Sequence, residues 1–190
     1  RSSDLQKQQR LGTSWHRPSE AEWIAQEAKR ILDEKPELSV GVISFYSGQI
    51  QSIFKAMENP KVGLTVGNKI AENYRIISTG KNIGDERLRI GTVDAFQGKE
   101  FDVVFVSLVR TLPKDFNVEG LGDREKDEAL TRAYGFLRVD NRLNVALSRQ
   151  RSLLIVTGDK ELIAHSATHE AVPALPAFLK LCGGQHGKIF

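Results

Sequence analysis

From Val103 to Val109 the chain reads Val-Val-Phe-Val-Ser-Leu-Val, apolar except at Ser107 and rich in β-branched side chains. A run of that length without alternation predicts a strand buried on both faces. Such strands sit in parallel sheets covered by helices on either side. A second strand candidate, Leu88–Val93, precedes it, apolar at Leu88 and Ile90. Between the two, Asp94–Asp102 is a polar interruption centred on Gln97, Gly98, Lys99 and Glu100. Open parallel sheets bind ligands at loops beyond their strand ends. A polar, glycine-containing loop between two sheet strands is therefore a site candidate. Gly98 permits close backbone approach or a positive φ. Gln97 both donates and accepts, and an ionised Glu100 accepts. Thr92 stands where a hydroxyl and a backbone N–H could face a phosphate. The same residues would also suit a well-made turn whose Gln and Glu are merely solvated.

The rest of the chain carries the matching helices and strands. Arg1–Leu11 is polar and expected to fray. Gly12–Trp15 is a short strand candidate. Pro18-Ser19-Glu20 starts a helix, with Ser19 as N-cap or first-turn residue and Glu20 and Glu22 near the positive end of its dipole. Trp23, Ile24, Ala28, Ile31 and Leu32 recur at helical spacing, and Pro36 ends the segment. Val40–Phe45 is another buried strand. It leads through Tyr46-Ser47-Gly48-Gln49 into a helix to about Met57, with Ile50, Ile53, Phe54 and Met57 inward. Asn59–Glu86 is punctuated by Pro60, Gly63, Gly67, Gly80 and Gly84 and reads as a solvated loop, with Ile70–Ile77 a short helix or strand. Its Lys69, Arg75 and Lys81 offer an extra nucleic-acid contact. Leu112–Tyr134, of mixed charge, reads as a mobile surface loop. Leu153–Asp159 is a closing buried strand and turn, and Ala174–Leu181 a final helix.

Asn141–Arg151 reads as one helix, with Leu143, Ala146 and Leu147 as its apolar stripe. Asn144, Ser148 and Arg151 fall on one polar face, Arg142 and Arg149 on another. An inward-facing helix seldom carries three arginines without anionic partners. A triphosphate is one such partner, since a planar, permanently charged fork suits phosphoryl oxygens. Loop carboxylates are the other.

Bulk properties exclude several classes. The 190 residues suffice for one domain with a proper core, and the hydrophobic fraction of 40% suits a globular protein. No run of about 18 apolar residues is present, so no membrane span is expected. The polar N-terminus carries no signal peptide pattern. Cys182 is the single cysteine, which rules out an intrachain disulfide and fits a reducing cytoplasm. A net charge of +3 permits nucleic-acid binding without arguing for it. Thr79-Gly80-Lys81-Asn82 resembles the end of a phosphate-binding Walker loop. That loop needs Gly where Arg75 stands and Ser or Thr where Asn82 stands, so none is present. His165 and His169 are spaced for a metal, but no third ligand is near and a solvated pair is expected.

Two stretches carry a family resemblance. Val93-Asp94-Ala95-Phe96-Gln97-Gly98-Lys99-Glu100 resembles motif V of superfamily 1 helicases, in the branch that includes the nonsense-mediated-decay helicase. Arg142-Leu143-Asn144-Val145-Ala146-Leu147-Ser148-Arg149-Gln150-Arg151 resembles motif VI of that branch. Tyr46-x-x-Gln49 after a strand is similar to motif IV, and Glu20-Ala21 matches a Glu-Ala stretch read as structural. The likeness runs from about Gly12 to Asp159, with gaps. It implies the second RecA-like domain of such a helicase: an α/β three-layer sandwich, mainly parallel, lacking its own Walker loop. ATP and Mg2+ would lie between this domain and a first RecA-like domain that holds the magnesium. By the same likeness Arg149 is the arginine finger. Gln97, Gly98 and Glu100 lie beside phosphates or ribose, with Arg151 near the nucleotide or bracing the loop. Ser44, Tyr46, Thr92 and Asn144 would hold single-stranded DNA or RNA by its backbone, which reads neither base nor sugar. The branch hints at 5′-to-3′ travel. The family's Gln-Tyr-Arg stretch is missing and no initiator Met is present, from which a piece of a longer chain is expected. A helicase-like module that has lost hydrolysis and serves as a scaffold is the competing expectation.

Overall fold

Alternation along two strands sorts the core into two layers. The computed structural model describes residues 7–190 and, of Asp140, the backbone alone. A hairpin of β1 (Gln9–Leu11) and β2 (Ser14–His16) precedes α1 (Pro18–Glu34), β3 (Val40–Ser44) and α2 (Ser47–Glu58). A small antiparallel pair, β4 (Thr65–Val66) and β5 (Lys69–Ile70), follows, then β6 (Leu88–Thr92) and β7 (Phe101–Ser107). The second half holds α3 (Asp123–Tyr134), α4 (Asp140–Leu147), β8 (Gln150–Thr157), α5 (Lys160–Ala164), α6 (Ser166–Ala171) and α7 (Ala174–Cys182). The central sheet has the order β6-β3-β7-β8, with every neighbouring pair parallel.

Every residue of β3 and β7 is buried. Val40, Val42, Val103 and Phe105 pack in one layer with α1 and α2. Ile43, Val104 and Val106 pack in the other, with residues of α3, α4 and the C-terminal helices. Each such side chain contributes about 1.5–3 kcal/mol on burial, so these two strands are the energetic centre. The fold is the expected α/β arrangement, a mainly parallel sheet with helices on both faces.

The segment between β6 and β7 must pass from one end of β6 to the other end of β7 across the intervening β3. A 3-10 turn, Val93–Phe96, starts that path. Gly41 makes it possible: a Cβ there would lie 2.8 Å from Phe96 and 3.1 Å from Phe101. The aromatic pair, with ring centroids 5.5 Å apart, packs in the space a side chain would fill.

Several expectations change. Residues 9–11 form β1 rather than fraying, while residues 1–6 lie outside the described residues. α1 is capped at Arg17, with Pro18 as the first helical residue, so Ser19 is a first-turn residue. Trp23 is 45% exposed, with its ring edge-on to Phe105. The Asn59–Glu86 excursion is anchored, not solvated: Leu64 and Ile77 are fully buried, and Ile76 pairs with Glu86. Leu112–Tyr134 ends in a full helix, α3. Its only apolar stripe, Leu130, Ala133 and Tyr134, is confined to the last turns, so its charge mixture reads as loop. The helix predicted over Asn141–Arg151 stops at Leu147, because Gln150 already pairs with Phe101 in the sheet. Arg149 and Arg151 therefore share no helix face with Arg142 or Asn144. β8, expected to be buried, is an edge strand with Leu153 47% exposed.

Candidate functional site

The sheet has two ends, and the candidate residues divide between them. Pairing of Phe101 with Gln150 marks the entry end; Ser44, Thr92, Ser107 and Thr157 come into register at the exit end. Along β7 the ends lie roughly 20 Å apart.

At the entry end, Gln97, Gly98, Lys99 and Glu100 are exposed. Gly98 has φ 70° with open space where a Cβ would stand, so the backbone alone requires glycine there. Gly98, Glu100, Phe101, Ser39, Glu86 and Arg151 line a shallow cleft of about 200 Å³. The Phe101 N–H donates to the Arg149 carbonyl at 3.0 Å, which pairs the backbone of Arg149 with the start of β7. The Arg149 guanidinium folds back on α4, donating to Val145 O at 3.0 Å and Ser148 Oγ at 2.9 Å. Among the described residues it forms no ion pair. Arg151 differs: it lies 3.5 Å from Asp102 Oδ1 and 3.9 Å from Glu100 Oε2. Asp102 is itself buried and accepts the Ser39 N–H at 2.8 Å and the Ser39 hydroxyl at 2.7 Å. Burial pushes its carboxyl up, but the Ser39 hydrogen bonds and then Arg151 outweigh that and hold it below the usual aspartate value.

At the exit end, Thr92 is half-buried at the tip of β6. Ser44 is fully buried; its hydroxyl donates to Ser107 O at 3.1 Å and accepts the Tyr46 N–H at 3.4 Å. Tyr46 is 4% exposed, and its hydroxyl has no hydrogen-bond partner. Burial raises its pKa against the opposing pull of Arg110. The expected side-chain contacts of Ser44 and Tyr46 with a strand are thus not available in this geometry, because both are enclosed. Asn144 stands exposed on α4, which returns the chain from the exit to the entry end. Arg142, near the start of α4, donates to Asp94 Oδ2 at 2.9 Å and so clamps α4 to the turn after Thr92.

A buried carboxylate organises the exit end. Glu20 Oε2 accepts the Ser107 hydroxyl at 2.5 Å, the Thr157 hydroxyl at 3.2 Å and the Val109 N–H at 3.3 Å. Arg17 donates to its other oxygen at 3.0 Å. Burial raises the Glu20 pKa against all four partners. Gln49, fully buried, donates to Ser107 Oγ at 2.9 Å and accepts the Arg17 N–H at 2.8 Å. Val109 adopts φ 69°, a left-handed conformation that a β-branched residue rarely takes. Such backbone costs on the order of 1–3 kcal/mol and persists where the surroundings over-determine it. Sequence reasoning missed Asp102 and Ser39 because their partnership spans 63 residues. It read Glu20 as a helix-dipole residue, although Glu20 points into the core. His165 accepts the Ala167 N–H, and among the described residues no group of three His, Cys, Asp or Glu could hold a metal.

The family described as AAA domain matches residues 1–161. The chain belongs to that family, among the superfamily 1 helicases. Two of the three relatives that follow carry helicase names. The chain is 34% identical over 128 residues to the DNA polymerase alpha-associated DNA helicase A of Saccharomyces cerevisiae, covering 67% of this chain and 13% of that protein. It is 27% identical over 177 residues to the putative helicase MOV-10 of Gallus gallus, covering 89% of this chain and 15% of that protein. It is 31% identical over 134 residues to the regulator of nonsense transcripts 1 of Caenorhabditis elegans, covering 70% of this chain and 9% of that protein. The chain thus spans a small part of each relative. Among the described residues of this helicase-family domain, no helix is long and apolar enough to cross a membrane.

Proposed function

We propose that this chain is the second RecA-like domain of an ATP-driven helicase or translocase. Its entry end faces the nucleotide and its exit end faces single-stranded DNA or RNA. The observation that carries this reading is the state of the two arginines beside the Gln97–Glu100 loop. Arg151 is neutralised by Asp102 and Glu100, whereas Arg149 bonds only to neutral oxygens. A guanidinium held by two neutral acceptors can swing outward at small cost, since each such bond contributes about 0.5–1.5 kcal/mol. It then meets negative charge that none of the ion pairs among the described residues supplies.

In this reading the γ-phosphoryl oxygens of ATP take the Arg149 fork as charge grows on them. Glu100 and Gln97 flank phosphates or ribose, and Gly98 lets the backbone approach. Arg151 braces the cleft through Asp102. A first RecA-like domain supplies the Walker lysine and the carboxylates for magnesium, which neutralises the phosphates when bound. At the exit end Thr92 and Asn144 present hydroxyl and amide groups to a strand's backbone, while Ser44 and Tyr46 shape the ground behind them. α4 and the turn after Thr92, clamped by Arg142 and Asp94, join the two ends. Closure on ATP and reopening after hydrolysis then move the strand.

Replacing Arg149 in the full-length protein tests the proposal. Arg149→Ala should lower kcat roughly a thousandfold or more while nucleotide affinity changes far less. Arg149→Lys should rescue little, since an ammonium cannot form the fork. The melting temperature should fall little, because the guanidinium bonds only to neutral oxygens, each such bond contributing about 0.5–1.5 kcal/mol. Near-normal kcat removes Arg149 from the mechanism.

A further inference from the structure

The structure displays one aromatic ring at the exit end that packing does not explain. Phe136 lies in a 3-10 turn, Gly135–Arg138, between α3 and α4. Its neighbours on either side of the turn, Tyr134 and Leu137, are fully buried. Tyr134 is further fixed by a 2.8 Å hydrogen bond between its hydroxyl and that of Thr168. Gly135 is fixed from the other side, since a Cβ there would lie 2.8 Å from the Tyr46 hydroxyl. The backbone of Phe136 is therefore flanked by buried residues while Phe136 itself is 48% exposed.

The surroundings of the ring are specific. Tyr46 packs beneath it with centroids 5.6 Å apart. The Arg142 guanidinium lies 5.4 Å from its centroid. Arg142 in turn grips Asp94, two residues beyond Thr92. Val139, 44% exposed, extends the apolar surface. A half-exposed aromatic ring, a cation against it and an adjacent apolar side chain can stack a flat, π-bearing ligand next to an anionic backbone.

We infer that Phe136 stacks a base of the bound single strand, with Arg142 close to the adjoining phosphate. This rests on reading the exit end as strand-binding. It adds a contact to bases themselves, where Thr92 and Asn144 reach only the backbone. Because every base has a π-face, the platform strengthens binding without choosing sequence.

The test compares strand binding by the full-length protein and its Phe136→Ala, Phe136→Leu and Phe136→Trp variants. The probes are a thymidine oligonucleotide and an abasic oligonucleotide of equal length and charge. Alanine should weaken binding of the thymidine strand about five- to a hundredfold, the range for one lost stack. Leucine, which fills space without a π-face, should recover little, and tryptophan should bind at least as well as wild type. On the abasic strand all four proteins should bind alike. Equal affinity of wild type and Phe136→Ala for the thymidine strand overturns the stacking role. So does an equal loss on both strands. If the wild-type protein binds neither strand, the strand-binding reading of the exit end falls as well.

Discussion

Asp102 shows how a single residue holds the candidate cleft in shape. It is the second residue of β7, accepts two hydrogen bonds from Ser39 and faces Arg151. Its carboxyl is held below the usual 3.8, so the folded state favours the ionised form. That contribution is complete above the ordinary aspartate value and is lost as pH falls from there through the lowered folded value. Removing the carboxylate strands the buried Ser39 donors, and hydrogen bonds to charged groups are worth about 1.5–3 kcal/mol. Asp102→Ala should therefore cost roughly 2 kcal/mol in urea denaturation at neutral pH. The gap to wild type should narrow in acid; a gap independent of pH would mean the charge plays no part. Arg151→Ala should reproduce part of this loss, because half-exposed ion pairs are screened.

At the scale of elements, strands were the most legible. β7 announced itself as an unbroken apolar run, and β3 did likewise. α1 and α2 followed from apolar spacing and from Pro18 and Pro36. What the residues did not reveal were boundaries set by distant partners. Nothing local ends α4 at Leu147; the pull comes from pairing of Gln150 with Phe101 across the sheet. Without that pairing Arg149 and Arg151 look helical, whereas Arg149 immediately precedes β8 and Arg151 lies within it. Ser44 and Tyr46 were expected as contacts from the likeness to motif IV, whereas both side chains are buried in the structure. The 93–100 crossover was visible as polar, but its path over β3 depends on Gly41. Gly41→Ala would push against Phe96 and Phe101, and such overpacking costs about 1–3 kcal/mol. Urea denaturation should show that loss, with a matching fall in nucleotide affinity as the 97–100 loop shifts. A neutral Gly41→Ala would mean the aromatic pair can move aside without strain.

The two ends of the central sheet carry different chemistry. The entry end gathers a glycine turn, a carboxylate and a guanidinium without an acidic partner. The exit end gathers hydroxyls, a buried carboxylate hub and an open aromatic ring. A net charge of only +3 means that affinity for a strand must come from local groups, and it should fall as salt rises. The proposal makes each end half of a site completed by another domain. The most direct test is steady-state ATP turnover by this 190-residue chain alone, with and without single strands, beside the full-length protein. A cooperative melting transition should first establish that the isolated chain is folded. The folded chain should then show no strand-stimulated hydrolysis, while the full-length protein shows it. Strand-stimulated turnover by the isolated chain would contradict the shared-cleft account.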